Sequence, residues 1–372
     1  MAPQPPPPAR LSSRGHGIVI APNWVGDAVM CLPALTTLAA RQPDYRWEIV
    51  ARPGAATVFQ AAARAAAKAD WSVTTLREAP GVRQLLAARR RWRPQRPDLA
   101  VLFPNSMYSA VFAAATGARR RVGYLRDARG RLLTGAVACP RPGETPPHEA
   151  FYYLELLRRA GLADTPWSGV DDLRPRIAAD PEILDRWQQQ LPVGVSGARV
   201  AIHAGASFGH AKRWLPERFA AVAAQLAAAG HAVLFVGSPE EAPLAASLAQ
   251  TAMAAAGAGA APIVNLGGRT DLEALLAVLA ASRLLIANDS GPMHLAAALG
   301  TPVVAIFGST NARETHPLAA RGDWRLLQAP GIACSPCKRR ECPIDHRCMT
   351  RVGVEEVAGA AISLLAAHAA RR

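Results

Sequence analysis

Between residues 284 and 308 the chain reads Leu-Leu-Ile-Ala-Asn-Asp-Ser-Gly-Pro-Met-His-Leu-Ala-Ala-Ala-Leu-Gly-Thr-Pro-Val-Val-Ala-Ile-Phe-Gly. Two short apolar runs without alternation flank a polar, glycine-containing loop and a helical stretch. That is the pattern of a strand buried on both faces, a crossover helix and a second such strand. A chain built this way is restricted to an α/β sheet with helices on its faces. It also has a natural ligand position, because Asn288 to Gly291 sit where strand hands over to helix and unpaired N–H groups can face a phosphate. Ser290 or Asp289 can equally cap the helix with no ligand present, and His294 falls about one turn inside it.

The same alternation runs through the rest of the chain. Strands are expected at Gly17 to Ala21, Trp47 to Ala51 and Asp98 to Phe103, with helices at Asp27 to Ala40 and from Ser106. Prolines 140, 142, 146 and 147 break the rhythm between residues 124 and 172, which places a domain connection there. Alternation resumes after a helical stretch at Pro181 to Gln190, with strands at Arg199 to Ile202, Ala232 to Val236, Pro262 to Asn265, Leu284 to Ala287 and Pro302 to Phe307. The expected organisation is a proline-rich disordered tail over 1–16, a Rossmann-like domain with its connector over 17–172, and a second Rossmann-like domain over 173–350. A C-terminal helix over 351–372 could pack back on the first domain. Two doubly wound sheets facing one another would put their strand C-termini on a shared cleft.

Composition narrows the partners. Forty-two Lys plus Arg against 28 Asp plus Glu give a net charge of +14, which favours anionic partners without choosing among them. Arginines cluster at Arg89 to Arg93 and at Arg119 to Arg121, but no nucleic-acid module or aromatic platform accompanies them. No run is long and apolar enough for a membrane span, and the tail lacks the apolar stretch of a secretory signal, so a soluble, unexported protein is expected.

Loops after strands carry the remaining candidates. After the first strand, Asn23-Trp24-Val25-Gly26-Asp27 offers a tight turn and a carboxylate that is either catalytic or an N-cap. After the strand ending at Ile202, the loop from His203 to Pro216 holds Ser207 and Lys212, a hydroxyl and a compact cation suited to a phosphate. After the strand at Ala232 to Val236, Glu240 and Glu241 either grip ribose hydroxyls or stabilise the next helix start. Neither phosphate loop has the Gly-x-x-x-x-Gly-Lys-Ser/Thr pattern, and no Gly-x-Gly-x-x-Gly follows the first strand, so ATP hydrolysis and dinucleotide redox chemistry lose ground.

Together, Asn-Trp-Val-Gly-Asp at 23–27, Ala-Lys-Arg-Trp at 211–214 and Asn-Asp-Ser-Gly-Pro-Met-His at 288–294 resemble the bacterial ADP-heptose:lipopolysaccharide heptosyltransferases, glycosyltransferase family 9. The segment from Cys334 through Cys337, Cys342 and His346 to Cys348 is similar to the cysteine-rich segment of the heptosyltransferase II branch. The resemblance implies a GT-B fold and a metal-independent, inverting transfer of heptose from ADP-heptose to the first heptose of the lipopolysaccharide inner core. It implies Asp27 as general base and Lys212 as the group that holds the pyrophosphate, with Ser290 and Gly291 assisting at the helix N-terminus. Asp289 and His294 would orient heptose and diphosphate, Glu240 or Glu241 would meet the nucleoside, and Arg119, Arg120 and Arg121 are candidates for the anionic acceptor. The work would be done at the cytoplasmic face of the inner membrane.

Four cysteines spaced Cys-x2-Cys-x4-Cys-x5-Cys are close enough for structural zinc, although packed reduced thiols explain them as well, and the resemblance points to no cofactor. Cys31 and Cys139 read as isolated small apolar residues. Three alternatives stand beside the main reading: transfer to another inner-core position, a GT-B sugar-nucleotide epimerase or hydrolase, and a basic nucleic-acid-binding protein.

Overall fold

The computed structural model describes residues 15–66, 71–164, 169–193 and 198–370. Residues 1–14 of the expected tail lie outside these, while Gly15 and His16 already belong to the first strand. The chain divides into two compact units, Met1–Ile177 and Ala178–Arg372.

The first unit runs β1 (Gly15–Ile20), α1 (Val25–Arg41), β2 (Tyr45–Ala51), α2 (Pro53–Ala65), β3 (Trp71–Thr75), α3 (Val82–Trp92), β4 (Leu99–Leu102), α4 (Met107–Thr116), β5 (Arg120–Tyr124), β6 (Gly135–Val137) and α5 (Glu149–Arg159). Its strands form one parallel sheet in the order β3-β2-β1-β4-β5-β6. The order reverses between β1 and β4, so the loops leaving those two strands flank the topological switch point where such sheets bind ligands. Residues 17–20 of β1 and all of β4 are buried, as continuous apolar runs in a parallel sheet require. Gly17 lies opposite Trp47, and any Cβ there would overlap the indole. The segment read as connector from its prolines contains β6, a three-residue strand closing the sheet edge.

The second unit runs α6 (Pro181–Gln190), β7 (Arg199–His203), α7 (Pro216–Ala228), β8 (Ala232–Phe235), α8 (Ala242–Ala256), β9 (Ile263–Asn265), α9 (Leu272–Ala280), β10 (Leu284–Asn288), α10 (Gly291–Leu299), β11 (Val303–Phe307), α11 (Ala312–Thr315), β12 (Trp324–Gln328), α12 (Arg347–Thr350) and α13 (Val354–Ala369). The parallel sheet order is β12-β11-β10-β7-β8-β9, with its switch point between β7 and β10. The C-terminal helix α13 belongs to this unit's own core, where Val357, Ala361 and Leu364 pack with Phe219, Leu226 and Ile286. The Trp214 indole N–H donates to the Val352 carbonyl at 3.1 Å and ties the approach to α13 to the loop before α7.

Candidate active site

In the first unit, Asp27 occupies the first turn of α1, directly after the carboxyl end of β1. It is not the N-cap: Trp24 holds that position and makes no side-chain cap bond. The carboxylate is half-buried, and its charge reaches two buried neighbours. Burial pushes the Cys31 thiol and the Tyr153 phenol well above their ordinary values, and the Asp27 charge adds to both shifts. The carboxylate thus lies at the switch-point end of the first sheet.

The loop leaving β4 is fixed by a residue the sequence reading passed over. Arg129 is fully buried and donates to the carbonyls of Tyr124 and Pro104, to Ser109 Oγ at 3.0 Å and to Asn105 Oδ1 at 3.2 Å. Asn105 in turn donates to the Tyr152 hydroxyl at 2.9 Å. Burial lowers the Arg129 pKa from its ordinary value, yet carbonyl and hydroxyl acceptors satisfy the guanidinium.

Arg119, Arg120 and Arg121 do not join Asp27. Arg120 and Arg121 begin β5 and Arg119 immediately precedes it, at the amino edge of a sheet whose carboxyl edge carries Asp27, and they serve the fold there. Arg120 donates to the Ala160 carbonyl at 2.6 Å, Arg121 to the Leu132 and Ala118 carbonyls at 2.7 Å, and Arg119 lies 3.5 Å from Asp98.

In the second unit the loops after β7, β8 and β10 converge. Asn288, fully buried, receives the Trp214 N–H at 2.9 Å and donates to the carbonyls of Ala204 and Gly205 at 2.9 and 3.2 Å. It stitches the loop after β7 to the end of β10 and sets the spacing between Lys212 and Asp289. The Lys212 ammonium donates to Asp289 Oδ2 at 2.8 Å, and Thr310 donates to the same oxygen at 2.7 Å. Asp289 therefore orients the lysine. The ammonium also lies 5.1 Å from the Phe208 ring centroid, which faces the Arg340 guanidinium at 5.4 Å.

Ser290 is the N-cap residue of α10, but its side chain makes no cap bond. Its hydroxyl pairs with His203 Nδ1 at 3.2 Å instead. His203 ends β7 and presents its other nitrogen to Glu241 Oε2 at 3.1 Å. Burial would raise the Glu241 pKa, but the hydrogen bond and charge of His203, the Ser238 N–H and Arg213 together hold it at about 2. Gly205 makes this possible, since a Cβ there would overlap the Glu241 carboxylate. Glu240 is exposed, so the structure separates the two glutamates. Ser207 is exposed on the same loop as Lys212. His294 is buried with Nδ1 unpartnered, and burial lowers its pKa to about 4 against the opposing Asp289 charge.

The cysteine-rich segment packs against the candidate site. Its backbone braces the Lys212 turn: Ala211 N–H donates to the Arg340 carbonyl at 2.9 Å, and His346 Nε2 meets the Ala211 carbonyl at 3.0 Å. Ser335 Oγ donates to the Gly308 carbonyl at 2.6 Å, beside the loop that carries Thr310. All four cysteines are free, and among the described residues no three His, Cys, Asp or Glu side chains are gathered so that they could hold a metal. No described helix is long and apolar enough to cross a membrane.

A family model for glycosyltransferase family 9 (heptosyltransferase) matches residues 85–347, a stretch that includes His203, Lys212, Glu241, Asn288, Asp289, Ser290 and His294. The chain belongs to glycosyltransferase family 9. Asp27 precedes the matched stretch. Full-length relatives agree with the family: the chain is 26% identical over 331 residues to lipooligosaccharide heptosyltransferase 2 of Haemophilus influenzae, covering 81% of this chain and 86% of that protein. It is 27% identical over 318 residues to lipopolysaccharide heptosyltransferase 2 of Escherichia coli K12, covering 81% and 85%. Among solved structures, the E. coli ADP-heptose LPS heptosyltransferase II superposes with a TM-score of 0.76 at 24% identity, covering 95% of this chain and 99% of that one. A family 9 glycosyltransferase from Veillonella parvula gives 0.76 at 20% identity, covering 96% and 99%. These likenesses speak to the fold, which is the GT-B arrangement of two Rossmann-like units.

Proposed function

We propose that the protein transfers heptose from ADP-L-glycero-β-D-manno-heptose to the first heptose of the lipopolysaccharide inner core, with inversion and without a metal, at the cytoplasmic face of the membrane. The observation that carries the reading is the Lys212–Asp289 pair held 2.8 Å apart at the start of α10, in a chain of a heptosyltransferase family. A cation beside a helix N-terminus matches a leaving diphosphate in charge and in hydrogen-bond donors. In this reading Asp27 takes the proton of the acceptor hydroxyl while its oxygen attacks the anomeric carbon from the face opposite the phosphate. The bond from that carbon to the β-phosphate oxygen breaks, and ADP leaves with its charge met by Lys212 and the N–H groups at Ser290 and Gly291. One displacement inverts the centre. Lys212 supplies the positive charge that a divalent ion supplies in other transferases. His294, neutral and buried next to Asp289, would complete the donor pocket, and Glu241 would stand toward the nucleoside.

The test is ADP release from ADP-heptose, with and without heptosyl-Kdo2-lipid A, in wild type and Asp27→Asn. Acceptor-dependent release that falls about 10²- to 10⁴-fold in the variant, with donor affinity kept, supports the transferase and its base. Equal release without acceptor would mean a hydrolase or epimerase, and absence of donor binding would sink the assignment.

A further inference from the structure

The chain of side chains Glu241–His203–Ser290 crosses the second unit's switch point, and nothing in the transfer step uses its central residue. Both ring nitrogens of His203 are engaged, Nε2 with Glu241 at 3.1 Å and Nδ1 with Ser290 Oγ at 3.2 Å, and the ring is buried. Glu241 is held ionised and can only accept, so Nε2 must carry a hydrogen. The state of Nδ1 then decides what Ser290 offers. With a neutral ring, Nδ1 is an acceptor and the serine must spend its single hydrogen on it, which leaves only lone pairs toward a ligand at the start of α10. With a protonated ring, Nδ1–H donates to the serine oxygen and the hydroxyl hydrogen is free. A phosphate oxygen accepts that hydrogen and is repelled by a lone pair.

We infer that His203 is a positioning residue that couples donor binding to proton uptake: the diphosphate of the donor selects the protonated ring, which turns the Ser290 hydroxyl from acceptor to donor. The inference rests on the proposed placement of the donor diphosphate at the start of α10. Among the described residues, the charged groups on the loops and helix that meet His203 are Glu241 and the exposed Glu240 from the turn after β8, Lys212 and Arg213 from the loop after β7, and Asp289 and His294 from the loop after β10 and from α10. Lys212 and Asp289 neutralise each other as a close pair, Arg213 acts on Glu241, and His294, with its pKa lowered to about 4, is mostly neutral above that pH. Among the described residues, Glu241 is the one carboxylate in hydrogen-bond contact with the ring, and it is held ionised.

The experiment is calorimetry of ADP-heptose binding to the full chain from about pH 5.5 to about pH 8, in buffers of differing ionisation enthalpy. Both phosphates of this ligand are diesters, so the ligand itself brings no titrating group into that range. Wild type is expected to take up part of a proton on binding, with affinity rising by up to about tenfold per pH unit as pH falls on the alkaline side. His203→Gln keeps a hydrogen-bonding side chain without a titration and is expected to lose both the uptake and the pH dependence. Ser290→Ala removes the hydroxyl through which the ring acts and is expected to lose most of the uptake while still binding. Adenosine, which lacks phosphates, is expected to bind without uptake. Donor binding with no proton uptake in wild type, or with the same uptake in His203→Gln, would overturn the inference and leave the transferase reading intact. No binding of ADP-heptose at any pH would overturn both.

Discussion

His294 makes the acid stability of the second unit predictable. The ring is buried in α10 with an unpartnered Nδ1, so protonating it in the folded state places a poorly solvated charge near Lys212, against which the Asp289 charge gives partial relief. Burial dominates, and the folded pKa drops from the ordinary 6.5 to about 4. The sign follows from where the proton prefers to be: the unfolded chain binds it first, so stability is complete above pH 6.5 and is lost as pH falls toward 4. At about pH 5 the unfolded ring is almost fully protonated and the folded ring about one-tenth so, which amounts to a loss of about 2 kcal/mol relative to neutral pH, and the limit at lower pH is about 3.4 kcal/mol. Glu241 also destabilises in acid, because its folded pKa is depressed, but its loss falls mainly between 4.5 and about 2 and leaves pH 5 nearly untouched. The assay is urea unfolding of wild type and His294→Gln at pH 7.5 and pH 5, read as the difference of differences so that all shared titrations cancel. The variant should lose about 2 kcal/mol less than wild type on acidification. An equal acid loss in the two proteins would refute the reasoning, since it would mean that the buried ring does not resist protonation.

Four further outcomes follow from the geometry. Lys212→Met should weaken ADP binding by about 10- to 100-fold and destabilise the protein by roughly 3 kcal/mol through the stranded Asp289 carboxylate. Adding Asp289→Asn should recover the stability in urea but not the affinity, and recovery of both would contradict a direct role for the lysine. Arg129→Met should cost about 3 to 5 kcal/mol in urea unfolding because buried carbonyls lose their donor, and Arg129→Lys should not restore it, as an ammonium cannot span the same acceptors. Gly209→Ala puts a Cβ onto the Arg340 carbonyl that holds the Lys212 turn, so it should weaken ADP binding more than Arg340→Ala, which keeps that carbonyl. The order of the two dissociation constants decides this. Prolonged chelation with EDTA should leave heptosyl transfer unchanged within error, and a loss restored by a divalent ion would contradict the metal-free reading.

What could be read from sequence follows from burial. The central strands β1, β4, β7, β10 and β11 are apolar runs buried on both faces, and each was placed to within two residues at either end. The strands not anticipated lie toward the sheet edges: β3 and β12 are only partly buried, β5 opens on two arginines, and β6 has three residues just before a proline-rich stretch, so none carries a continuous apolar signal. The candidate site divides in the same way. Lys212, Asp289 and Ser290 were legible because residue type and position after a strand are local facts. His203 was not, although a histidine closing the run Val200-Ala201-Ile202 was a visible signal, because its meaning depends on Glu241 and Ser290, 38 and 87 residues away. Strand direction could have corrected the arginines: a cluster that precedes Val122 begins its strand and must lie at the edge away from Asp27. The cysteine segment shows the deeper reason for such gaps. The cysteine spacing left zinc and packed thiols both open, whereas the contribution of residues 335–346 to the site comes largely from the Arg340 carbonyl and the His346 and Ser335 side chains gripping backbone. Main-chain atoms are identical in every residue, so a brace built from them leaves little trace in the amino-acid code. Its presence is instead recorded at the point of closest approach, Gly209, where the brace leaves no room for a side chain.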